Sequence, residues 1–512
     1  MLTLRLTQFT EAEDKYRVEV ALEGDGVPRQ TATSPLNFKL TPQEQEDLRW
    51  YLEDFLEQPY EAEQKIAARI EKHMAEIGVK LFNAVFQANA DACDLWATLR
   101  DKLDDTRVEI IVGVTEATAI PWELLRDPKT DAALALRAQA FVRSQLQAAQ
   151  RPQLPSKNSG PIRILLVICR PAGREDVPFR SVASFLIKGL SASAAQAFQL
   201  DVLRPPTFEQ LNKTLRSAKA GGKPYHVVHF DGHGDFFDMG NLFVNWKDKT
   251  EEEIMQLLAS LINFDPNRFS PQAIYPQTPR EGRRGYLAFE NPKSVHNLRF
   301  VDGQELGKLL AETDVPALML NACRSAYAEA PTAPLPTEDD PNTQVRAFGS
   351  FTQEIMDAGA AGVVAMRYTV YVVTAAQFVA DLYAALTQGY SLGEAVTLGR
   401  KQLAADPNRS IAYDPRPLQD WPVPVVYEAA PIKLFPKPKQ VKKLSITLKA
   451  GAATTPHTRS SLAPNLPAQP DAGFYGRDET LLGLDRAFDQ HAAACLCRQR
   501  QNHHGRGVCP LV

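Results

Sequence analysis

The sequence predicts an α/β protein built on a mostly parallel sheet with helices on both faces, preceded by an α+β N-terminal region. Three observations lead there. First, two apolar runs end abruptly in small and reactive residues: Tyr225-His-Val-Val-His-Phe-Asp-Gly-His233-Gly234 and Leu318-Met-Leu-Asn-Ala-Cys323-Arg-Ser325. Such unbroken runs mark strands buried on both faces, and α/β proteins place their chemistry at the carboxyl ends of those strands. Second, strand-like and helix-like segments alternate across residues 160–430, a pattern that calls for parallel strands joined by crossover helices. Third, residues 1–150 follow a different plan, with strands first and helices after them.

In chain order, residues 1–35 alternate as strands do, and residues 41–105 read mostly as helix. Thr41 is placed to cap the first helix, with Pro42 at its first turn. Val108-Glu-Ile-Ile-Val-Gly-Val114 returns to strand. A polar connector, Gln150 to Gly160, closes this part. Ile162 to Ile168 is then a first core strand, Phe208 to Ala220 a helix and Tyr225 to Phe230 the histidine strand. Val301 to Glu312 is a helix, Ala317 to Leu320 the cysteine strand and Phe351 to Ala358 a helix. Gly362 to Met366 is a further strand and Ala375 to Leu386 a long helix. Residues 431–470 are rich in Pro, Lys, Ala and Thr, the composition of a linker.

Composition narrows the function classes. At 512 residues the chain exceeds what one core normally serves. A net charge of −4 offers no electrostatic basis for nucleic acid or a membrane surface as principal partner. The N-terminus lacks the apolar centre of a signal peptide, and no stretch approaches the roughly 20 apolar residues that span a bilayer. The six cysteines form no disulfide framework. A reducing cytoplasm fits, and it would keep Cys323 a free thiol.

The two motif strands carry the chemistry. If they are neighbours, each delivers its reactive residue to the loop just past its tip, and an imidazole meets a thiol at one sheet edge. A thiol is mostly protonated at neutral pH, so Cys323 needs a base or an imidazolium partner to act as a nucleophile. Of the three local histidines, His226 and His229 fall within the apolar strand. His233 stands between two glycines that let the backbone turn and approach closely, and it is the better partner. Cys169 also ends a strand but has no histidine-bearing motif of its own, which suits a packed core thiol.

These residues also carry a family resemblance. Asn-Ala-Cys323-Arg-Ser resembles the caspase nucleophile signature, and His-Phe-Asp-Gly-His233-Gly followed by Leu-Asn-Ala-Cys323 is closer still to the CHAT branch of the caspase-like cysteine peptidases. Ile120-Pro-Trp-Glu-Leu-Leu125, Asp176-Val-Pro-Phe-Arg-Ser181, Phe300 to Leu306, Asp357 to Ala365 and Trp421 to Tyr427 follow in the expected order, so the resemblance covers roughly residues 90–430. It implies a caspase-like peptidase domain over residues 160–430, with residues 1–150 as the N-terminal part of the same module. It also implies an oxyanion hole formed by the amide N–H groups of Gly234 and Cys323. In several caspase-like relatives that cut after Arg or Lys, an acid precedes the nucleophile by two positions; here that position is Asn321. Glu175 and Asp176 are the acidic candidates elsewhere for the substrate-binding pocket.

Two segments depart from the pattern. His233 and Cys323 are 90 positions apart, against about 50 in the caspase signature. The excess lies between Asp235 and Arg284. It includes an acidic stretch, Lys247 to Ile262, that reads as helix, and a substrate lid or a docking surface would suit it. After the nucleophile, Ala328 to Asn342 holds four prolines and four acids and has neither helix nor strand character. It sits where caspase-like enzymes keep a processing loop, and a passive surface loop is the competing reading.

The C-terminal part, residues 471–512, contains Phe474-Tyr-Gly-Arg-Asp-Glu-Thr-Leu-Leu-Gly-Leu-Asp-Arg-Ala-Phe488, which resembles the entry segment of a P-loop NTPase module. The expected phosphate-binding loop does not follow. Cys495, Cys497, His503, His504 and Cys509 match no established zinc spacing. Shifting the reading frame by one nucleotide from Arg498 allows Gly-Lys-Thr-Thr followed by a helix, as a P-loop needs. The tail is therefore expected to be a truncated, frameshifted start of an NTPase domain.

Together these readings point to a cysteine endopeptidase with a His233/Cys323 dyad, acting in regulated proteolysis in bacterial signalling or defence. It would need no cofactor and no metal, act on a protein or peptide, and be gated by an activator protein or a fused NTPase. Two alternatives stand beside it: a non-catalytic interaction module of the same fold, and a small-molecule amide hydrolase or acyl transferase.

Overall fold

The computed structural model describes residues 2–12, 15–24, 26–57, 59–112, 120–144, 161–171, 198–250, 252–254, 270–280, 282, 284–322, 351–368, 370–410, 415–434 and 445–449. Cys323, Glu175, Asp176, the 328–342 loop and residues 471–512 lie outside them.

Among the described residues, one sheet of 14 strands organises the chain. The strands are β1 (Leu2–Ala12), β2 (Lys15–Gly24), β3 (Val27–Pro35), β4 (Thr106–Val112), β5 (Ala140–Ser144), β6 (Ile162–Ile168) and β7 (Phe198–Leu203). They continue with β8 (Val227–Phe237), β9 (Arg284–Glu290), β10 (Leu298–Asp302), β11 (Ala317–Ala322), β12 (Gly362–Met366), β13 (Pro424–Glu428) and β14 (Ser445–Lys449). Across the sheet they run β14-β7-β6-β8-β11-β12-β13-β5-β4-β1-β2-β3, and β9 and β10 branch from β8. The six strands from β14 to β12 are mutually parallel. The mostly parallel α/β class expected from the sequence is what the structure has.

The helices form where local signals place them. Helix α1 (Pro42–Arg49) opens with a capping box: Thr41 Oγ1 accepts the Glu44 N–H at 3.1 Å, and the Thr41 N–H donates to Glu44 Oε2 at 2.6 Å. Helices α2 (Glu61–Phe86) and α3 (Ala90–Leu99) complete the helical stretch expected over 41–105. Helix α4 (Phe208–Ala220) lies where it was expected. Helix α5 (Gly303–Glu312) begins after Asp302, whose Oδ1 accepts the Glu305 N–H at 2.7 Å, so Val301 belongs to β10 rather than to the helix. Residues 351–357 are helical, and α6 (Val372–Thr387) and α7 (Leu392–Ala405) follow.

Strand alternation divides the core between two faces. Leu165, Val167, Val228, Phe230, Leu318, Leu320, Val363 and Ala365 pack with α4, α5 and helix 351–357. Ile164, Leu166, Ile168, Val227, Met319, Val364 and Met366 face the other way, toward α6 and α7. Both faces are apolar, which is why these strands read as unbroken hydrophobic runs; each such side chain contributes about 1.5–3 kcal/mol on burial.

The N-terminal strands continue this sheet. β13 and β5 meet in register at Tyr427 and Arg143, and buried polar side chains fill in around that junction. Arg400 of α7 donates to the carbonyls of Pro424 at 2.9 Å and Phe141 at 3.0 Å, one on each strand. Arg107 pairs with Glu428 at 2.8 Å, also across it. The turn Ile120-Pro-Trp-Glu-Leu-Leu125 buries Trp122 completely and sends Glu123 to Arg143 and Arg367.

Three further expectations change. β8 runs to Phe237 instead of ending at Phe230, because it exchanges its parallel neighbours for antiparallel β9 at His233. β11 extends to Ala322. Within the linker-like stretch 431–470, Ser445-Ile-Thr-Leu-Lys449 is a strand paired with β7; its alternation of polar and apolar residues suits that role.

Candidate functional site

The two motif strands are neighbours. β8 and β11 pair in parallel from Val227 opposite Ala317 to Gly232 opposite Ala322. The last register pair thus lies one residue before His233 on one strand and one residue before Cys323 on the other. His233 is not on a loop past the strand tip, as the sequence suggested. It is the first residue of β8 to pair with β9, opposite Ala288, and it is buried at 8% exposure. Gly234 follows in the same ladder, opposite Leu287.

Gly232 allows close approach rather than a turn. A Cβ there would lie 2.9 Å from the Phe230 ring and 3.2 Å from Cys169 Cβ. The other histidines are committed elsewhere. His226 precedes β8, and its Nδ1 accepts the Arg163 N–H at 3.0 Å. Burial, helped by the Arg163 charge, lowers its pKa to about 4. His229 is fully buried against Tyr383 of α6, 3.3 Å from Nδ1 to the hydroxyl, and burial lowers it to about 4 as well. Both are therefore neutral at physiological pH. Cys169 is a core thiol: it is fully buried, its Sγ donates to the Pro206 carbonyl at 3.2 Å, and burial followed by the nearby Glu290 charge pushes its pKa well up.

The sequence reading missed a buried polar assembly at these strand ends. Asp231 Oδ1 accepts from Asn321 Nδ2 at 3.2 Å, and its Oδ2 accepts from Arg170 Nη2 at 2.8 Å. Arg170 Nη1 also donates to the Cys169 and Asp231 carbonyls, both at 2.9 Å, and the Arg170 backbone N–H donates to Glu290 Oε1 at 2.9 Å. Asp231, Asn321, Arg170 and Glu290 are all buried. Asn321, expected in a substrate pocket, is thus turned to the neighbouring strand. Asp231 was visible inside His-Phe-Asp-Gly-His, two residues before His233 and so on its face of the strand. Arg170 and Glu290 carried no local signal.

The 235–284 segment begins as part of a packed arm. Phe237, Tyr275, Tyr286 and Phe300 pack in tilted and edge-to-face contacts at the β8-β9-β10 branch, with Met239, Leu242, Ile254 and Ile274. Tyr275 donates to Asp302 Oδ2 at 2.7 Å, and Arg280 pairs with Asp302 and Glu354, both at 3.1 Å. Of the expected acidic helix, Trp246–Asp248 is a single 3-10 turn, residues 252–254 are helical, and 255–262 lie outside the described residues.

Among the described residues, no three His, Cys, Asp or Glu side chains converge as metal ligands, and no helix is long and apolar enough to cross a membrane.

The mostly parallel sheet is that of an α/β protein, and it sets the histidine motif of β8 beside Asn321 and Ala322 at the end of β11. The CHAT domain family matches residues 80–435, and the chain belongs to that family. Among solved structures, the Saccharomyces cerevisiae separase–securin complex is similar with a TM-score of 0.37 and 11% identity; the match covers 88% of this chain but only 30% of that one. No curated protein matches the chain.

Proposed function

We propose that the chain is a cysteine endopeptidase that uses Cys323 as nucleophile and His233 as its proton partner. The observation that carries this is the β8–β11 register, which pairs Gly232 with Ala322 immediately ahead of the two residues. In the proposed cycle the Cys323 thiolate attacks the scissile carbonyl and forms a thioester. The amide N–H groups of Gly234 and Cys323 stabilise the developing oxyanion, a role worth about 2.7–4 kcal/mol per donor. The His233 imidazolium gives its proton to the leaving amine, then activates the water that hydrolyses the thioester. The neutral His226, half-buried, and the neutral His229, fully buried, do not compete for this role. The substrate is a protein or peptide.

A peptide-bearing thiol electrophile tests the proposal on wild type, His233→Ala and Cys323→Ala. Modification at Cys323 that falls when His233 is removed, together with release of a cut protein, is expected. Equal modification of Cys93 and Cys323, indifferent to His233, would instead assign the chain to non-catalytic relatives.

A further inference from the structure

We propose that Asp231 is the positioning residue of the dyad: through Asn321 and Arg170 it locks the tips of three adjacent strands, so that His233 is presented to the position after Ala322. The inference rests on the His233–Cys323 reading and adds to it a residue that never touches substrate.

The spacing is the first support. Asp231 lies two residues before His233, and Asn321 two residues before Cys323. Asp231 and Asn321 are register partners in the parallel pair, and their side chains are hydrogen-bonded at 3.2 Å. On β8, residues two apart share a face, so a bond between the 231 and 321 side chains fixes relative height and twist one alternation step below His233. It does so where β8 leaves its parallel neighbours for β9, the point at which backbone pairing with β11 ends.

Arg170 is the second support. It follows β6, is almost fully buried, and directs one Nη to the Cys169 and Asp231 carbonyls and the other to the Asp231 carboxylate. β6, β8 and β11 are consecutive in the sheet, so the chain Arg170–Asp231–Asn321 spans all three tips. Donors point inward from both sides: guanidinium to carboxylate, and amide to carboxylate. An acceptor must therefore stand at 231 and a donor at 321, because a buried acceptor facing an acceptor leaves both unsatisfied.

That polarity supplies the test. N321D places two carboxylates side by side. Adding D231N restores a donor between them: the oxygen of the introduced amide accepts from Arg170, while its NH2 group donates to the introduced carboxylate. Iodoacetamide is the probe, because this small uncharged reagent reads thiolate reactivity without any substrate-pocket preference. Cys323 modification is followed by mass spectrometry at about pH 8, near the ordinary thiol pKa, with exposed Cys93 as internal reference. N321D is expected to slow Cys323 modification about tenfold relative to Cys93, and D231N/N321D to recover most of the loss. The rates are read under conditions where every variant is fully folded, so a role in stability alone would leave Cys323 of N321D reacting like wild type. If N321D does not fold, N321L interrupts the same contact and must slow Cys323 in the same way.

N321D reacting like wild type, or a double variant no faster than N321D, overturns the inference while leaving the dyad in place. A His233→Ala variant whose Cys323 reacts like wild type overturns the dyad and the inference together.

Discussion

Glu123 and Arg143 form a doubly hydrogen-bonded ion pair, 3.0 and 2.8 Å, with side chains 1% and 4% exposed. Arg143 stands at the β5–β13 junction, and Glu123 also accepts from Arg367, the residue after β12. A carboxylate from the Pro-Trp-Glu turn thereby ties the N-terminal strands to the end of the sheet that carries the candidate site. Burial alone would raise the Glu123 pKa. The Arg143 charge, with Arg367 and Arg400, outweighs it and holds the group at about 2.

Glu123→Gln leaves Arg143 buried without its anion and should cost about 3–5 kcal/mol. The sign with pH follows from the lowered carboxyl. The contribution of Glu123 is fully present above its ordinary value of 4.5 and is lost as pH falls toward 2. Denaturant unfolding at about pH 7 and about pH 3, on either side of that ordinary value, checks both. The Gln variant should lose more at the higher pH than at the lower. An equal loss at both would show that the pair does not set this titration.

His229 responds to acid for a different reason. Its pKa is lowered from 6.5 to about 4 by burial, so the unfolded chain takes up a proton in that window while the native chain does not. Its contribution is complete above pH 6.5 and falls as pH drops toward 4. His229→Phe keeps a ring beside Tyr383 and removes the titration. The stability difference between about pH 7 and pH 4 should then shrink by about 3 kcal/mol. An unchanged difference would place the acid sensitivity elsewhere, for example at His226.

Gly232→Ala forces a Cβ against the Phe230 ring and Cys169. Overpacking of this kind costs about 1–3 kcal/mol. Because the clash lies one residue before His233, the variant should also slow His233-dependent modification of Cys323 under conditions where it remains fully folded. A variant with wild-type reactivity would show that the strand yields without moving His233.

Cys169 should resist alkylation in the native chain and react fully once the chain is unfolded, while Cys93 reacts in both states. The reason is burial, which both blocks access and disfavours the thiolate. Peptide mapping after iodoacetamide distinguishes the sites. Rapid native labelling at Cys169 would mean that the β6 tip opens locally.

Much of this was legible in the sequence because it depends on local chemistry. The two-faced apolar runs 162–168, 227–230 and 317–320 suit strands sandwiched between helices, and that is what they form. Thr41 followed by Pro42 carries the signature of a helix start, and α1 begins there. Cys169 lacked a partner motif and is indeed core. The residues matching the CHAT pattern stood in order along the chain, and the family match over 80–435 agrees with them.

Tertiary structure decided what depends on contacts far apart in sequence. Whether β8 stops at Phe230 or changes partners at His233 is set by β9, a strand that comes much later in the chain, and no local signal announces it. That Asn321 turns to Asp231, that Arg170 neutralises Asp231, and that Glu123 finds Arg143 and Arg367 follow from which strands lie side by side. A short polar side chain looks the same in a sequence whether it faces a substrate or a neighbour. Only the register, which fixes the partner within a few ångströms, tells the two apart.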